Sequence, residues 1–388
     1  MSVVGPKGFL ASGVAAGIKP GEVLDLALVV ATHGPVAAAA TFTTNLAAAA
    51  PVQVSRAHLV ATSGRVGAVI LNSGCANAAT GVRGLAAANE TAAAVASSLG
   101  LEASEVLVCS TGLIGPQLPL DALLAALPEA VRSLGEKLED GDRAARAIMT
   151  TDTKPKLVSI EADGFSVGGM AKGAGMIAPN MATMLCVITT DADVDPTELA
   201  TALREAVAGS FNSLIVDGAT STNDTVIALA SGLGATPSKA ALTSALSQAC
   251  SSLAEQMAAD AEGTSKVATI LVGGAASNDD ATRAARKVAG SLLVKTSLFG
   301  SDPYWGRIVS ELGSSGASFD LNTVDVSYGG VLVFSRGEEV PHDRGALVAY
   351  LSKPSVEIAC DLGIGVGAAR VVTTDLGHSY IDENMKTS

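Results

Sequence analysis

The chain has 388 residues, of which 48% are hydrophobic and 16% charged, and its net charge at pH 7 is −13. This length predicts two or three domains, or two lobes around a shared core. The acidic balance argues against a nucleic-acid partner, because phosphate backbones are bound by clustered lysine and arginine. Aromatic residues make up only 3% of the chain, so alanine, valine and leucine must fill the core.

Membrane insertion, secretion and metal binding are also disfavoured by the sequence. The N-terminus lacks the charged start and apolar block of a signal peptide. The alanine-rich region 26–52 is interrupted by polar residues and Pro35, which makes it too broken to span a bilayer. The five cysteines are far apart and the four histidines form no cluster. We therefore expect a reduced, cytoplasmic protein without a metal site.

Apolar strand-like runs and amphipathic helical runs alternate along the chain. Strands are predicted at 26–31, 37–43, 67–71, 105–109, 156–160, 165–170, 184–190, 266–272, 324–328, 331–334, 347–351, 355–362 and 368–373. Helices are predicted at 85–99, 120–138 (with a possible break at Pro128), 143–149, 196–209, 242–261 and 280–292. The polar segment 217–225 is predicted to be a loop. This order predicts mixed α and β structure with many antiparallel neighbours, not a doubly wound sheet.

Thr183 is the first candidate for chemistry. It follows a glycine-rich loop and Pro179, and it precedes an apolar run. A threonine hydroxyl needs an adjacent base, and cutting the Ala182–Thr183 bond would supply one as the new α-amino group, with a pKa of about 7.7–8.0. In that cut the hydroxyl attacks the Ala182 carbonyl, and water opens the resulting ester. The alternative is that Thr183 is an ordinary β-forming residue in an apolar strand.

Four further segments could bind substrate or stabilise charge. Thr111 and Gly112 follow a predicted strand and could donate to an oxyanion, or they could form an ordinary turn. Lys172 lies in the glycine-rich loop and could bind a carboxylate or a phosphate, although the nucleotide-binding P-loop order is absent. Glu262 ends a predicted helix, where it could hold an ammonium group or remain a surface carboxylate. The segment 150–153 adds hydroxyl groups or a capped turn.

Taken in order, these segments resemble the glutamate N-acetyltransferase/ornithine acetyltransferase family of arginine biosynthesis. The resemblance covers nearly the whole chain, and its specificity comes from the number and order of the motifs. The segments that carry it are 6–9, 13–19, 41–45, 72–77, 110–115, 150–153, 172–185, 260–264, 295–296 and 302–307.

The resemblance implies an α/β (α+β) fold, a layered α/β sandwich of the ornithine acetyltransferase type, in a self-cleaving N-terminal-nucleophile enzyme. It implies an α chain at 1–182, with the oxyanion and glycine-rich loops, and a β chain at 183–388, assembled as a heterotetramer or larger. Thr183 would carry an acetyl group from N2-acetylornithine to glutamate without a cofactor. The motifs leave open whether acetyl-CoA is also a donor.

The resemblance also assigns site residues. Thr111 and Gly112 match the oxyanion pair, and the substrate-binding residues match Thr153, Lys172, Thr183, Glu262, Asn384 and Ser388. The C-terminal tail departs from the family pattern because it lacks the usual tyrosine. Two alternatives remain: an N-terminal-nucleophile amidohydrolase or aminopeptidase, in which water takes the acyl group, and a non-catalytic anion-binding protein.

Overall fold

A computed structural model describes residues 2–178 and 184–385. The chain forms two compact units. The first contains the residues up to 212 together with 219–257, and the second contains 213–218 and the residues from 258 onward. Each unit combines β-sheet with helices.

The strands and helices are as follows, in chain order. The strands are β1 (Phe9–Val14), β2 (Leu26–Ala31), β3 (Val36–Phe42), β4 (Arg65–Val66), β5 (Ala68–Asn72), β6 (Val106–Ser110), β7 (Lys156–Ala162), β8 (Phe165–Lys172), β9 (Leu185–Thr190), β10 (Leu214–Ile215), β11 (Thr225–Ala230), β12 (Val267–Ala275), β13 (Asp325–Tyr328), β14 (Val331–Ser335), β15 (Glu338–Glu339), β16 (Ser355–Asp361) and β17 (Gly367–Thr374). The helices are α1 (Ala50–Ala61), α2 (Gly81–Leu99), α3 (Leu120–Arg132), α4 (Leu138–Ala147), α5 (Pro196–Gly209), α6 (Lys239–Ala259), α7 (Asn278–Ala289), α8 (Leu292–Phe299), α9 (Trp305–Gly313), α10 (Arg344–Leu351) and α11 (His378–Asn384).

The first unit contains two sheets. One has the strand order β1-β2-β5-β6, and the other has the order β4-β3-β11-β9-β8-β7. Most neighbours are antiparallel, while β5 with β6 and β9 with β11 are parallel. A buried cluster contains apolar side chains of both sheets, including Val29, Leu71, Val187 and Ile227. The two sheets therefore pack face to face around a shared core.

Helices cover the outer faces of this sandwich. A second buried cluster joins the four-stranded sheet to α2 and α3, while α5 packs against β3 of the six-stranded sheet. Every residue of β2, β5, β8 and β9 is buried. A sheet covered on both faces has no solvent-facing side, which explains why β2 and β5 are almost entirely apolar. The layered α/β arrangement predicted from the sequence is present in this unit.

The pairing of β8 with β9 places the glycine-rich segment at one edge of the six-stranded sheet. These strands are antiparallel, and Lys172, the last residue of β8, lies opposite Leu185, the first residue of β9. On its other side β9 runs parallel to β11, with Leu185 opposite Thr225. The ends of three strands thus meet where the chain passes from the glycine-rich loop into β9.

The second unit is built on a seven-stranded sheet with the order β10-β17-β12-β16-β13-β14-β15. Helix α7 packs on β12 and β17, and α9 contacts β13. The core includes Ile270, Val288 and Ile358, each almost fully buried. Trp305 begins α9, packs against this core and stacks on Phe334 with ring centroids 4.7 Å apart.

The bounds of most predicted elements are confirmed within two or three residues. Helix α5 begins after Asp195 as predicted, and the Asp195 side chain accepts hydrogen bonds from two backbone N–H groups of its first turn. The strand predicted at 347–351 is wrong, since this segment belongs to α10. Asp343 caps that helix, because its side chain accepts a hydrogen bond from the Ala346 N–H at 3.0 Å. The break considered at Pro128 is absent because α3 continues through it, but the helix ends at Arg132 and not at 138. The helix predicted at 143–149 begins earlier, at Leu138. The helix predicted at 280–292 ends at Ala289, and α8 follows.

Five strands were missed: the two-residue strands β4, β10 and β15, and the six-residue strands β1 and β11. β1 is six residues long and contains Gly13, which weakened its strand signal. β11 directly follows the polar segment that was predicted to be a loop up to residue 225. None of the helices within the described ranges is both long enough and apolar enough to cross a membrane.

We expect Gly13→Ala to destabilise the first unit. A Cβ at Gly13 would lie 2.2 Å from the carbonyl oxygen of Arg143, a backbone atom of α4 that cannot move without shifting the helix. Such overpacking typically costs about 1–3 kcal/mol. Urea unfolding followed by circular dichroism measures the loss. The matched control is Gly209→Ala, where a Cβ meets nothing within 4 Å, and an equal loss in both variants would contradict the prediction.

Candidate active site

The loop after β6 has a backbone that only glycine can adopt at one position. Gly112 has a φ of +128°, and a Cβ there would lie 2.3 Å from the backbone carbon of Gly74. Its N–H forms no hydrogen bond within the described chain, which leaves a donor of the kind an oxyanion requires. The neighbouring Thr111 is held by its own N–H, which donates to the carbonyl of Asn72 at 2.9 Å.

Lys172 joins this loop to the glycine-rich segment. Its side chain is 1% exposed, and its ammonium group donates to the Thr111 hydroxyl oxygen at 3.1 Å. Residues 61 positions apart in the sequence are therefore in direct contact. Because Thr111 accepts this bond, its own hydroxyl hydrogen can be directed to another acceptor. The structure thus brings together Thr111, Gly112 and Lys172, all predicted site residues.

Asp152 compensates the buried positive charge. Its carboxylate accepts from the Lys156 ammonium at 2.5 Å and from the Gly173 N–H at 2.7 Å. Burial alone raises the pKa of this carboxyl, but Lys172 and Lys156 outweigh it, so the pKa lies below its usual value. Asp152 therefore stays ionised and fixes the first residue of the glycine-rich loop, directly after Lys172.

Lys19 contributes a third cation near the same cluster. Its ammonium donates to the carbonyl of Met149 at 2.9 Å. Burial lowers its pKa and Lys172 lowers it further, while Asp25 and Asp152 act in the opposite direction. The region around Lys172 is thus rich in positive charge, which suits a substrate that carries a carboxylate.

Asp224 is the second buried carboxylate of this region. It is fully buried, and its Oδ1 accepts from the Met184 N–H at 2.8 Å. Burial raises its pKa to about 8, against the opposing effects of the Met184 amide, Lys172 and Ser221. The preceding residue, Asn223, donates through its side chain to the carbonyls of Ala76 at 2.6 Å and Ser110 at 2.8 Å.

The remaining predicted residues lie elsewhere or outside the description. Thr153 is exposed in the loop next to Asp152. In the second unit, Glu262 is half-buried and accepts from the side-chain amide of Asn384 at 2.9 Å. Ala182, Thr183 and Ser388 lie outside the described residues, so their assignments stay predictions, as does the division into chains at 182/183.

The second unit also holds Tyr380 close to this pair. Burial raises the pKa of its hydroxyl to about 12, and the nearby carboxylates Asp217 and Glu262 contribute in the same direction. Asn384 also donates to the Tyr380 carbonyl at 2.9 Å. Carboxylates and a tyrosine hydroxyl near one another form a site suited to an ammonium group.

The sequence analysis missed Asp152, Asn223 and Asp224 as site residues. Asp152 was included only as part of a hydroxyl-rich segment. Asn223 and Asp224 were assigned to a loop because the strand after them was not recognised. The available signal was the apolar run Thr225–Ala230, which predicts a buried strand with two polar side chains immediately before it.

Comparisons with known proteins agree with this arrangement of motifs. The model of the ArgJ family matches residues 10–387. The chain belongs to the ArgJ family. Relatives named arginine biosynthesis bifunctional protein ArgJ are 52% identical in Mycolicibacterium paratuberculosis, over 98% of this chain and 95% of the relative, and 45% identical in Thermobifida fusca, over 99% of both. The family predicted from the sequence is confirmed.

Solved ArgJ-type structures match about half of this chain. The arginine biosynthesis bifunctional protein ArgJ of Bacillus halodurans is 36% identical, with 51% of this chain and 96% of that chain covered and a TM-score of 0.49. Ornithine acetyltransferase of Mycobacterium tuberculosis, complexed with ornithine, is 49% identical, with 47% of this chain and 96% of that chain covered and a TM-score of 0.44.

We expect Asp224→Asn to raise thermal stability more at alkaline than at acidic pH. The folded pKa of Asp224, about 8, lies above the unfolded value of about 3.9. The folded state therefore binds the extra proton, and the stability that this proton gives is lost as pH rises from about 4 through 8. An asparagine does not titrate, so its stability gain at pH 8.5 should exceed that at pH 5.5 by about 3 kcal/mol, which corresponds to about 4 °C in Tm at about 2.1 cal/mol/K per residue.

The control for this measurement is Asp191→Asn. Asp191 is a buried carboxylate just beyond the opposite end of β9, where it accepts from the Ser166 N–H at 2.7 Å. The same pH trend in both variants, or a gain of Asp224→Asn that is larger at pH 5.5, would refute the interpretation.

Proposed function

We propose that this protein transfers the acetyl group of N2-acetylornithine to L-glutamate through an acetyl-Thr183 intermediate. The observation that carries the proposal is the joining of family motifs into one buried site, where Lys172 donates to Thr111. Next to it, the Gly112 N–H has no hydrogen-bond partner among the residues that the structure describes. Membership of the ArgJ family over residues 10–387 supports the same reaction. The chemistry requires no cofactor.

The proposed reaction has two acyl-transfer steps. In the first, the Thr183 hydroxyl oxygen attacks the acetyl carbonyl while the α-amino group of Thr183 takes the hydroxyl proton. The tetrahedral oxyanion accepts hydrogen bonds from Gly112 N–H and the Thr111 hydroxyl. As the carbon–nitrogen bond breaks, the proton passes to the leaving amine of ornithine. In the second step, the glutamate amine attacks the acetyl ester and displaces the Thr183 oxygen, which recovers its proton.

Charge recognition follows from the buried lysine. Lys172 would hold the α-carboxylate shared by the donor and the acceptor, because its buried ammonium group contacts the Thr111 hydroxyl and Lys19 and Lys156 add positive charge nearby. Glu262, with Asn384 on its carboxylate, is proposed to bind an ammonium group of substrate. Thr153 and Ser388 complete the proposed substrate-binding set.

The nucleophile requires the cut at Ala182–Thr183, which would be made by the chain itself. We propose that the resulting chains, 1–182 and 183–388, stay associated as a heterotetramer or larger assembly. The sheet topology favours their association. Strands β9 and β11 belong to the piece 183–388, and they lie between β8 and β3, which belong to the piece 1–182. Backbone hydrogen bonds between β11 and β3, and between β9 and β8, would hold the two pieces together after cleavage.

The decisive experiment measures cleavage and transfer in the same samples. Denaturing mass spectrometry of the purified protein should give two species that meet at 182/183, and incubation with N2-acetylornithine and glutamate should give equimolar ornithine and N-acetylglutamate. Thr183→Ala should be uncut and inactive. The matched control Thr201→Ala, at a half-buried position of α5, should behave as wild type.

Each competing function predicts a different result. Acetate instead of N-acetylglutamate would favour an amidohydrolase, and binding without cleavage or turnover would favour an anion-binding protein. The relatives are named bifunctional, so we extend the proposal to acetyl-CoA as a second acetyl donor. N-acetylglutamate formed from acetyl-CoA and glutamate alone would support this extension, and its absence in an otherwise active sample would refute it.

We further expect the two pieces to elute together in size-exclusion chromatography under native conditions and to separate only in denaturant. The physical reason is the continuous six-stranded sheet and its shared apolar core. Chromatography in buffer and in 6 M guanidinium, with the fractions analysed by mass, measures this. Separation of the pieces in native buffer would contradict the expected role of β9 and β11.

A further inference from the structure

Lys19 is a half-buried lysine to which the proposed reaction assigns only a general positive charge. Its ammonium group donates to the carbonyl of Met149 at 2.9 Å, and within residues 2–178 and 184–385 it forms no ion pair with a carboxylate. An ammonium group carries three hydrogens, so two of them remain for another acceptor. A lysine that is partly withdrawn from water and lacks a carboxylate in contact is suited to an anionic ligand.

Asp25 fixes the backbone at Lys19 without neutralising its side chain. The Asp25 carboxylate is fully buried. Its Oδ1 accepts from the N–H of Ala16 at 2.6 Å, and its Oδ2 accepts from the N–H groups of Ile18 at 2.7 Å and Lys19 at 2.8 Å. Both oxygens are therefore bonded to main-chain donors. Lys19 thus begins from a fixed position in the chain, while its ammonium group still lacks an anion in contact.

The side chain of Lys19 packs on the residue that also supports the oxyanion loop. Gly74 has a φ of +98°, and a Cβ there would lie 2.8 Å from the Cγ of Lys19. A Cβ at Gly112 would lie 2.3 Å from the backbone carbon of the same Gly74. Lys19 and the proposed oxyanion donor therefore pack against one glycine, which leaves space for both only because it has no side chain.

Asp152 and Lys172 connect Lys19 to the rest of the proposed site. The carboxylate of Asp152 accepts from the N–H of Thr150, the residue after Met149, at 3.0 Å, and from the Gly173 N–H at 2.7 Å. Lys19 is attracted by Asp152 and repelled by Lys172. A ligand anion near both lysines would reduce the repulsion between them.

We propose that Lys19 binds the side-chain carboxylate of glutamate, while Lys172 binds its α-carboxylate. The proposal rests on the proposed function and deepens it, because it names the residue that selects the acceptor. Both substrates have an α-carboxylate, but only glutamate has a second one. The side chain of N2-acetylornithine ends in an ammonium group, which Lys19 would repel. Lys19 should therefore contribute to the second step of the reaction and not to the first.

A two-step reaction allows this role to be measured for each substrate separately, because kcat/KM for the donor reports the first step and kcat/KM for the acceptor reports the second. Lys19→Met keeps a long apolar side chain but removes the charge. We expect its kcat/KM for glutamate to fall about 10–100-fold and that for N2-acetylornithine to change less than about threefold, given the usual strength of a hydrogen bond to a charged group. Lys19→Arg keeps the charge and should retain most of the activity with glutamate.

Glutamine as the acceptor gives a readout that a merely structural residue would not change. It has the shape of glutamate without the negative charge, so wild type should prefer glutamate by at least about 10-fold in kcat/KM, and Lys19→Met should lose most of this preference. If Lys19 only supported the backbone at Met149, its loss would slow both steps alike and leave the preference unchanged. Equal use of the two acceptors by wild type would refute the proposal without any variant.

Lys154→Met is the matched control, because Lys154 is an exposed lysine two residues after Asp152. The variant removes the same charge from the same region, and it should keep the wild-type kcat/KM for both substrates and the preference for glutamate. Equal losses in Lys154→Met and Lys19→Met would indicate a general effect of charge and refute a specific role of Lys19. A Lys19→Met protein that is folded by circular dichroism and prefers glutamate as strongly as wild type would also refute it.

Failure of this proposal can be told from failure of the proposed function. Calorimetric titration with L-glutamate requires no turnover, so it tests Lys19 even in a protein that transfers no acetyl group. Binding that is at least about 10-fold weaker in Lys19→Met than in wild type, without any acetyl transfer by wild type, would refute the proposed reaction and support the binding role. Acetyl transfer by wild type, combined with unchanged glutamate binding and kinetics in Lys19→Met, would refute only the role of Lys19.

Discussion

Burying a lysine ammonium group costs several kcal/mol unless an anion or several hydrogen bonds compensate it. This chain buries Lys156 and Lys172 within one region and places Asp152 beside them. The carboxylate accepts from Lys156 and from the Gly173 N–H. The same interaction therefore lowers the cost of burying positive charge, fixes the end of β8 and sets the start of the glycine-rich loop. The proposed binding of substrate carboxylates depends on this arrangement.

A second set of contacts aligns segments that are distant in the sequence. Asn72 accepts from Thr111 through its carbonyl and from the Ser110 hydroxyl at 2.6 Å through its side chain. Asn223 donates to the Ser110 carbonyl from the other side. These amides are buried, so their hydrogen bonds are stronger than they would be in water and allow few alternative geometries. The oxyanion loop is thus held by groups from both sheets of the first unit.

The sequence was sufficient for the elements with a strong periodic signal. The bounds of the apolar strands β2, β5 and β9 were predicted to within one residue. Strands that are buried on both faces carry few polar side chains, so their sequence pattern is easy to recognise. The errors occurred where local signals are ambiguous. Residues 347–351 contain β-forming side chains, but the Asp343 cap and the burial of Leu347 and Leu351, four residues apart, favour a helix. β11 was missed because its polar neighbours suggested a continuous loop.

For the site, the sequence alone identified Thr111, Gly112, Lys172 and Glu262, since their residue types and order match the family motifs. It could not show that the Lys172 ammonium bonds to Thr111, nor that Asp152 and Asp224 supply the buried carboxylates, because these contacts join residues 21 to 61 positions apart. Such contacts are determined by strand register and sheet order, which local sequence does not encode. The sequence by itself determined the family and the fold class, and its site residues stay predictions, of which the structure brings Thr111, Gly112 and Lys172 together. Only the tertiary structure decided which charges balance one another, because the energy of a buried charge depends on its neighbours in space.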